Sequence, residues 1–121
     1  MSEDWELHEV LDLLSDEYAR SILAATSVEP MSANELSEQC DASLPTVYRR
    51  IEWLQEYDLI EAQTRVELSG NHHKVFSATL AEFSMELDDG AYEGTIERTS
   101  RADFPEEEDT ADRFTRMWEN L

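Results

Sequence analysis

SANELSEQCDASLPTVYRRIEWLQEYDLIEAQTRVELSGNHHKVFSA, residues 32–78, is the stretch on which the fold turns. Ser32 and Glu35 have the Ser-x-x-Glu spacing of a capping box, in which hydroxyl and carboxylate each satisfy an orphan amide at a helix start. They open a short helix with Leu36 facing inward. Cys40-Asp41-Ala42 is the turn that follows. Ser43 then caps another helix, and Pro45 suits its first turn because its missing N–H would be unpaired there in any case. On that helix Val47, Ile51 and Leu54 make the inward row. At about 100° per residue, Pro45 and Arg49 fall opposite the row, with Thr46, Tyr48 and Arg50 on its flanks. Leu59 and Ile60 begin an extended segment running to Glu67. Ser69-Gly70-Asn71 is a turn signal, and Lys74–Ala78 returns as a strand.

Upstream, Leu7, Val10, Leu11 and Leu14 fall at i, i+3, i+4 and i+7, the apolar stripe of a first helix. Ser15-Asp16 offers a cap, and Tyr18, Ile22, Leu23 and Thr26 carry a second helix towards Pro30. Downstream a further hairpin is expected, with Phe83–Leu87 and Ala91–Arg98 joined by Asp88-Asp89-Gly90. Arg101–Pro105 reads as a linker. In a closing helix Ala111, Phe114, Met117, Trp118 and Leu121 share one face, and Glu106–Asp109 sit at its positive N-terminal end. The fold class expected is mainly α with a small β wing (α+β). No internal repeat is visible.

The 121 residues carry 9 Lys plus Arg against 29 Asp plus Glu. Between Ser43 and Phe76 the balance is four basic residues (Arg49, Arg50, Arg65, Lys74) against five acidic ones. That window sums to −1 and the remainder to −19. One surface is thus held near neutrality while its surroundings are loaded with carboxylates, as expected of a surface that meets a polyanion. The acids are dispersed along amphipathic segments, and only one of the nine basic residues is lysine. Such a surface suits molar salt, where screening over about 3 Å removes much of the self-repulsion. Apolar runs are too short to cross a bilayer, the N-terminal ten residues lack the pattern of a signal peptide, and a cytoplasmic location is the default. A lone cysteine, Cys40, excludes an internal disulfide and a thiolate-rich metal site.

A helix, a tight turn and a capped helix form the geometry that places a helix N-terminus in the major groove. There Arg is the side chain best suited to guanine. Ser43, Thr46 and Tyr48 supply hydroxyls for phosphate oxygens, and the helix N-terminus adds its amides. Arg65, Asn71, His72, His73 and Lys74 cluster on or near the hairpin tip, within reach of an adjacent groove or backbone. Plainer roles exist for several of these residues. Arg49 and Arg50 also suit surface ion pairs with Glu52, Glu56 or Glu38. His72 and His73 are adjacent, so on a strand they face opposite ways and cannot chelate one ion together. Cys40 suits packing at a helix end, with redox sensing as the alternative, and Trp53 suits packing over base stacking. The Phe114, Met117, Trp118, Leu121 stripe suits dimerisation, with folding back onto its own domain as the alternative. Asp88-Asp89 are turn formers, because no His, Lys or phosphate cradle accompanies them. No catalytic group, metal site, cofactor or small-molecule effector is expected, except that salt cations would bridge body carboxylates to DNA phosphates.

LSDEYARSILAATSVEPMSANELSEQCDASLPTVYRRIEWLQEYDLIEA resembles the winged helix-turn-helix of ArsR-like and PadR-like transcription regulators. GNHHKVFSATL and MELDDGAYEGTIER are similar to the wing and following hairpin of haloarchaeal members, and DRFTRMWENL to their closing helix. The resemblance runs from Leu11 to Leu121. It implies a homodimer with Ser43–Tyr57 as recognition helix, the Val66–Val75 hairpin as wing, and Thr46, Tyr48, Arg49 and Arg50 as base and phosphate contacts. The chain departs from the metal-sensing members, whose paired cysteines in the third helix are reduced to Cys40. A winged helix-turn-helix DNA-binding domain is therefore expected over 1–79, with a hairpin and dimerisation helix over 80–121. The expected partner is double-stranded DNA carrying a pseudo-palindromic operator; a winged-helix adaptor between proteins is the alternative.

Overall fold

The computed structural model describes residues 5–99. Four helices, α1 (Leu7–Ser15), α2 (Glu17–Val28), α3 (Ala33–Gln39) and α4 (Leu44–Glu56), precede two antiparallel hairpins. The first joins β1 (Ile60–Val66) to β2 (His72–Ala78), and the second joins β3 (Leu80–Asp88) to β4 (Ala91–Arg98). The expected linker and the closing helix with Phe114, Met117, Trp118 and Leu121 lie outside the described residues.

Each helix start has a local cause. Asp16 Oδ2 accepts from the Ala19 amide at 2.8 Å and caps α2. The Ser32–Glu35 capping box forms in both directions, at 3.2 and 3.0 Å. Ser43 Oγ accepts from the Thr46 amide at 3.3 Å, and Pro45 occupies the first turn of α4. Helix ends use aspartate where glycine is commoner. Asp41 after α3 and Asp58 after α4 take positive φ of 51° and 55°. Beyond them Ala42 N–H returns to Ser37 O at 3.1 Å and Leu59 N–H to Leu54 O at 3.0 Å, satisfying carbonyls the helices leave open. A side chain in the left-handed region is strained, and the exposed Asp58 side chain has no partner that would be lost. Asp58→Gly is expected to raise stability by about 0.5–1 kcal/mol, read as a higher denaturant midpoint at unchanged slope.

The core joins all four helices to both hairpins. Val10, Leu13, Ile22, Leu36, Val47, Ile51, Leu54, Leu59, Phe76 and Ile96 are buried in one cluster. The row Val47, Ile51, Leu54 is the one read from the sequence. The first helix is rotated from expectation: Val10 and Leu13 are fully buried, while Leu11 is exposed. Its LHEVLDLL run offers two overlapping stripes. The one containing Leu13 wins because it faces α2, and Leu14 is left half-buried beside it.

Strand pairing runs from Ile60↔Ala78 to Val66↔His72, so the second strand starts two residues before the expected Lys74. In the connecting loop Gly70 N–H donates to Glu67 O at 2.9 Å, and Gly70 takes φ 89°, a conformation glycine adopts without strain. The second hairpin turns at Asp89-Gly90, both with positive φ, as a two-residue turn of type I′ demands. A feature outside the sequence reading is the reciprocal pairing of Met31 with Phe76, at 3.0 and 2.8 Å. It pins the α2–α3 connection to β2 and so sets the pose of α3 and α4 against the first hairpin.

Candidate nucleic-acid interface

The outer face of α4 follows from its buried one. With Val47, Ile51 and Leu54 turned in, Pro45, Tyr48 and Arg49 are exposed at the N-terminal half. Glu52 and Glu56 continue the exposed surface towards the C-terminus. The helix is thereby divided by charge: its first two turns can approach phosphates, whereas its last two repel them. The Thr46 side chain is half-buried, and its hydroxyl accepts from Ser43 Oγ at 3.0 Å, so these two hydroxyls satisfy one another.

The adjacent arginines part company. Arg49 is exposed, with no hydrogen bond or ion pair. Arg50 turns back instead: its Nε donates to Asp16 Oδ2 at 2.8 Å, and its guanidinium lies 5.7 Å from the centre of the Tyr18 ring. Asp16 therefore serves as cap of α2 and as anchor for α4. Burial works against its carboxylate, but the Arg50 guanidinium and the Ala19 amide outweigh that and hold its pKa below the ordinary carboxylate value. A depressed folded-state pKa contributes stability that is complete above the unfolded-state pKa near 4 and is lost as pH falls through the lowered one. Asp16→Asn is accordingly expected to flatten the loss of stability on acidification below about pH 4, measured by thermal midpoints across that range.

The first hairpin stands beside this helix. Arg65 is tied down: its Nη2 donates to Pro30 O at 3.2 Å, and Nη1 lies 4.0 Å from Glu35. His73 pairs with Glu67, whose carboxyl it holds below the ordinary range through hydrogen bond and charge. Asn71 and His72 are exposed near the tip, and the Asn71 carbonyl accepts from Glu67 N–H at 2.8 Å. Lys74, opposite Thr64, is exposed with no ion pair or hydrogen bond. A cleft of about 420 Å³ lies between the start of α3, Tyr48 and the hairpin, lined by Asn34, Tyr48, Arg65, His73 and Lys74 among others. Arg20 donates to Leu14 O at 2.9 Å, and Arg98 to the Asp58 and Tyr57 carbonyls. Among the described residues, the basic side chains left without a partner are thus Arg49 and Lys74, one on α4 and one on the hairpin beside it.

Residues 14–63 match the model of a family described as a helix-turn-helix domain. No curated protein matches the chain. The match supports a DNA-binding regulator and spans α2 through the first part of β1. Within that span α3, the turn at Asp41 and α4 have the helix-turn-helix arrangement, and the first hairpin follows α4. No described helix is long and apolar enough to cross a membrane.

Two arrangements escaped the sequence reading. Asp16 and Arg50 are separated by 34 positions, and no local signal couples them. Glu6, His8 and Glu9 gather at the exposed start of α1, with Glu9 accepting the Tyr57 hydroxyl at 3.0 Å. Cys40 is half-buried at the end of α3, and burial pushes its thiol above the ordinary range, which lowers its thiolate fraction. Trp53 packs against the core, as expected.

Proposed function

We propose that the protein is a sequence-specific DNA-binding transcription regulator that acts as a two-fold homodimer in a high-salt cytoplasm. The observation that carries this reading is the pairing of place and charge: the two unpartnered cations, Arg49 and Lys74, lie on the recognition helix and the wing. Arg49 reads a base edge in the major groove. Lys74, His72 and Asn71 meet the backbone beside it, and Ser43, Thr46 and Tyr48 lie along the phosphates at the start of α4. Arg50 and Arg65 act from behind, Arg50 holding α4 to Asp16 and Arg65 holding the wing to Pro30. The dimer is assigned to the C-terminal stripe of Phe114, Met117, Trp118 and Leu121, and it sets recognition helices about 34 Å apart on a pseudo-palindromic operator. Its setting is proposed to be a stress response.

Selection from random duplexes in molar KCl tests this reading: it is expected to yield a two-fold symmetric consensus. Recovery of no consensus, with equal retention of all duplexes, would contradict it. A basic protein loses about 0.9 log unit of affinity per neutralised phosphate for each log unit of salt. With a net charge of −20, this protein is instead expected to bind through cations shared between its carboxylates and phosphate, so affinity holds or rises into molar KCl. A polarisation titration that collapses steeply above moderate salt would oppose the cation-bridged mode.

A further inference from the structure

The hydrogen-bonding character of the first hairpin depends on one proton. His73 stands opposite Arg65 in the ladder, so both side chains leave the same face, and His73 Nε2 meets Glu67 Oε1 just beyond the end of β1. This contact keeps Glu67 ionised, because the imidazole hydrogen bond, and after it the imidazole charge, hold the carboxyl below its ordinary range. A carboxylate only accepts, so Nε2 carries the hydrogen of the bond. In neutral His73 the other nitrogen, Nδ1, is therefore a lone pair, and it has no partner among the described residues. Proton uptake converts Nδ1 into an N–H donor and leaves the bond to Glu67 in place.

The surroundings give that donor a use. His73 lines the cleft of about 420 Å³ that opens beside Tyr48, on the exposed side of α4. Around it stand Arg65 from β1, Glu35 from α3 and Tyr48 from α4, with His72 and Lys74 as its neighbours on β2. Two carboxylates, Glu35 and Glu67, and two permanent cations, Arg65 and Lys74, line the cleft, so their charges cancel while His73 is neutral. A protonated His73 leaves the cleft cationic. Glu35 is already engaged by the Ser32 amide, and Arg65 by the Pro30 carbonyl.

We propose that duplex binding takes up a proton at His73, whose Nδ1–H then donates to a backbone phosphate seated in this cleft. The proposal rests on the duplex-binding reading and deepens it, naming a phosphate subsite and the charge state that fills it. A backbone phosphate is the occupant because it is the anion that a duplex docked on the exposed side of α4 brings to the cleft. Its oxygens only accept, and they match an N–H donor on a charged ring. Neutral His73 would set a lone pair and the Glu67 carboxylate against those oxygens instead. Atoms in contact lie within the screening length of about 3 Å in molar salt, so the effect persists there. Affinity is full where His73 is charged and falls as pH rises through about 5 to 8, the range in which imidazole gives up its proton.

Polarisation titrations of the full chain on the selected duplex in molar KCl, at intervals across that range, test the proposal. Wild type is expected to bind about five- to tenfold more weakly at the alkaline end than at the acid end. His73→Gln should lose this dependence, whereas His72→Gln should bind more weakly throughout and keep it. Glu67→Gln should bind more tightly than wild type at the alkaline end and flatten the profile, since an amide can donate to Nε2 and leave Nδ1–H available without proton uptake. A flat wild-type profile, or one that His73→Gln leaves unchanged, would overturn the proposal. The His73 imidazole resonances separate a duplex phosphate from a free one. The duplex should raise the midpoint of their titration, and inorganic phosphate alone should leave it in place; an equal rise from inorganic phosphate would assign the cleft to a free anion. Duplex binding without pH dependence removes this proposal alone, whereas no duplex binding at any pH removes the DNA-binding reading with it.

Discussion

Arg49→Ala is expected to weaken binding to the preferred duplex by about 1–3 kcal/mol, roughly 5- to 150-fold, and to relax preference at one base position. The guanidinium is exposed at the second turn of α4, opposite the buried row, and has no partner within the chain to compensate its loss. Its neighbour supplies the contrast. Arg50 is spent on Asp16, so Arg50→Ala acts on stability and on the pose of α4, without changing which base is preferred. Lys74→Ala should weaken all duplexes alike, because a wing ammonium meets phosphate and carries no sequence information. Competition titrations over single-base variants of the selected duplex separate the three. Equal and sequence-blind losses from Arg49→Ala and Lys74→Ala would leave the base-reading role without support.

The largest loss of stability is expected from Ile51→Ala, about 2–5 kcal/mol. Ile51 is 2% exposed and sits midway along the row that seals α4 against the core. A domain of this size has a total of about 5–15 kcal/mol to lose. The two substitutions lie two residues apart on one helix and act through opposite faces. Ile51→Ala should lower the thermal midpoint and leave the affinity of the folded fraction near wild type. Arg49→Ala should do the reverse. An Ile51→Ala protein that melts like wild type would mean the buried row does not hold the recognition helix as described.

The legible parts of this fold are those whose cause is local. Ser32 with Glu35, Ser43 with Pro45, and Asp89-Gly90 each determine their own few residues of backbone, and each lies where the spacing placed it. The α4 row was legible because Val47, Ile51 and Leu54 admit a single stripe. The first helix was not, because LHEVLDLL satisfies two stripes and only packing against α2 chooses between them. Site residues divide in the same way. Arg49 could be placed outward from helical angle alone. Arg50, at the flank, had two possible destinations, and Asp16 decided the matter from 34 positions away. The Met31–Phe76 pairing and the Arg65–Pro30 contact likewise depend on elements meeting in space, so no window of sequence contains them.

The most direct measurement is a polarisation titration of the selected duplex against a scrambled one in molar KCl, with wild type and an Arg49→Ala/Lys74→Ala double variant of matched thermal midpoint. Wild type is expected to prefer the selected duplex at least tenfold, about 1.4 kcal/mol, and the double variant to lose both the preference and most of the affinity. A double variant that binds and discriminates like wild type would contradict the assignment of duplex recognition to the recognition helix and its wing.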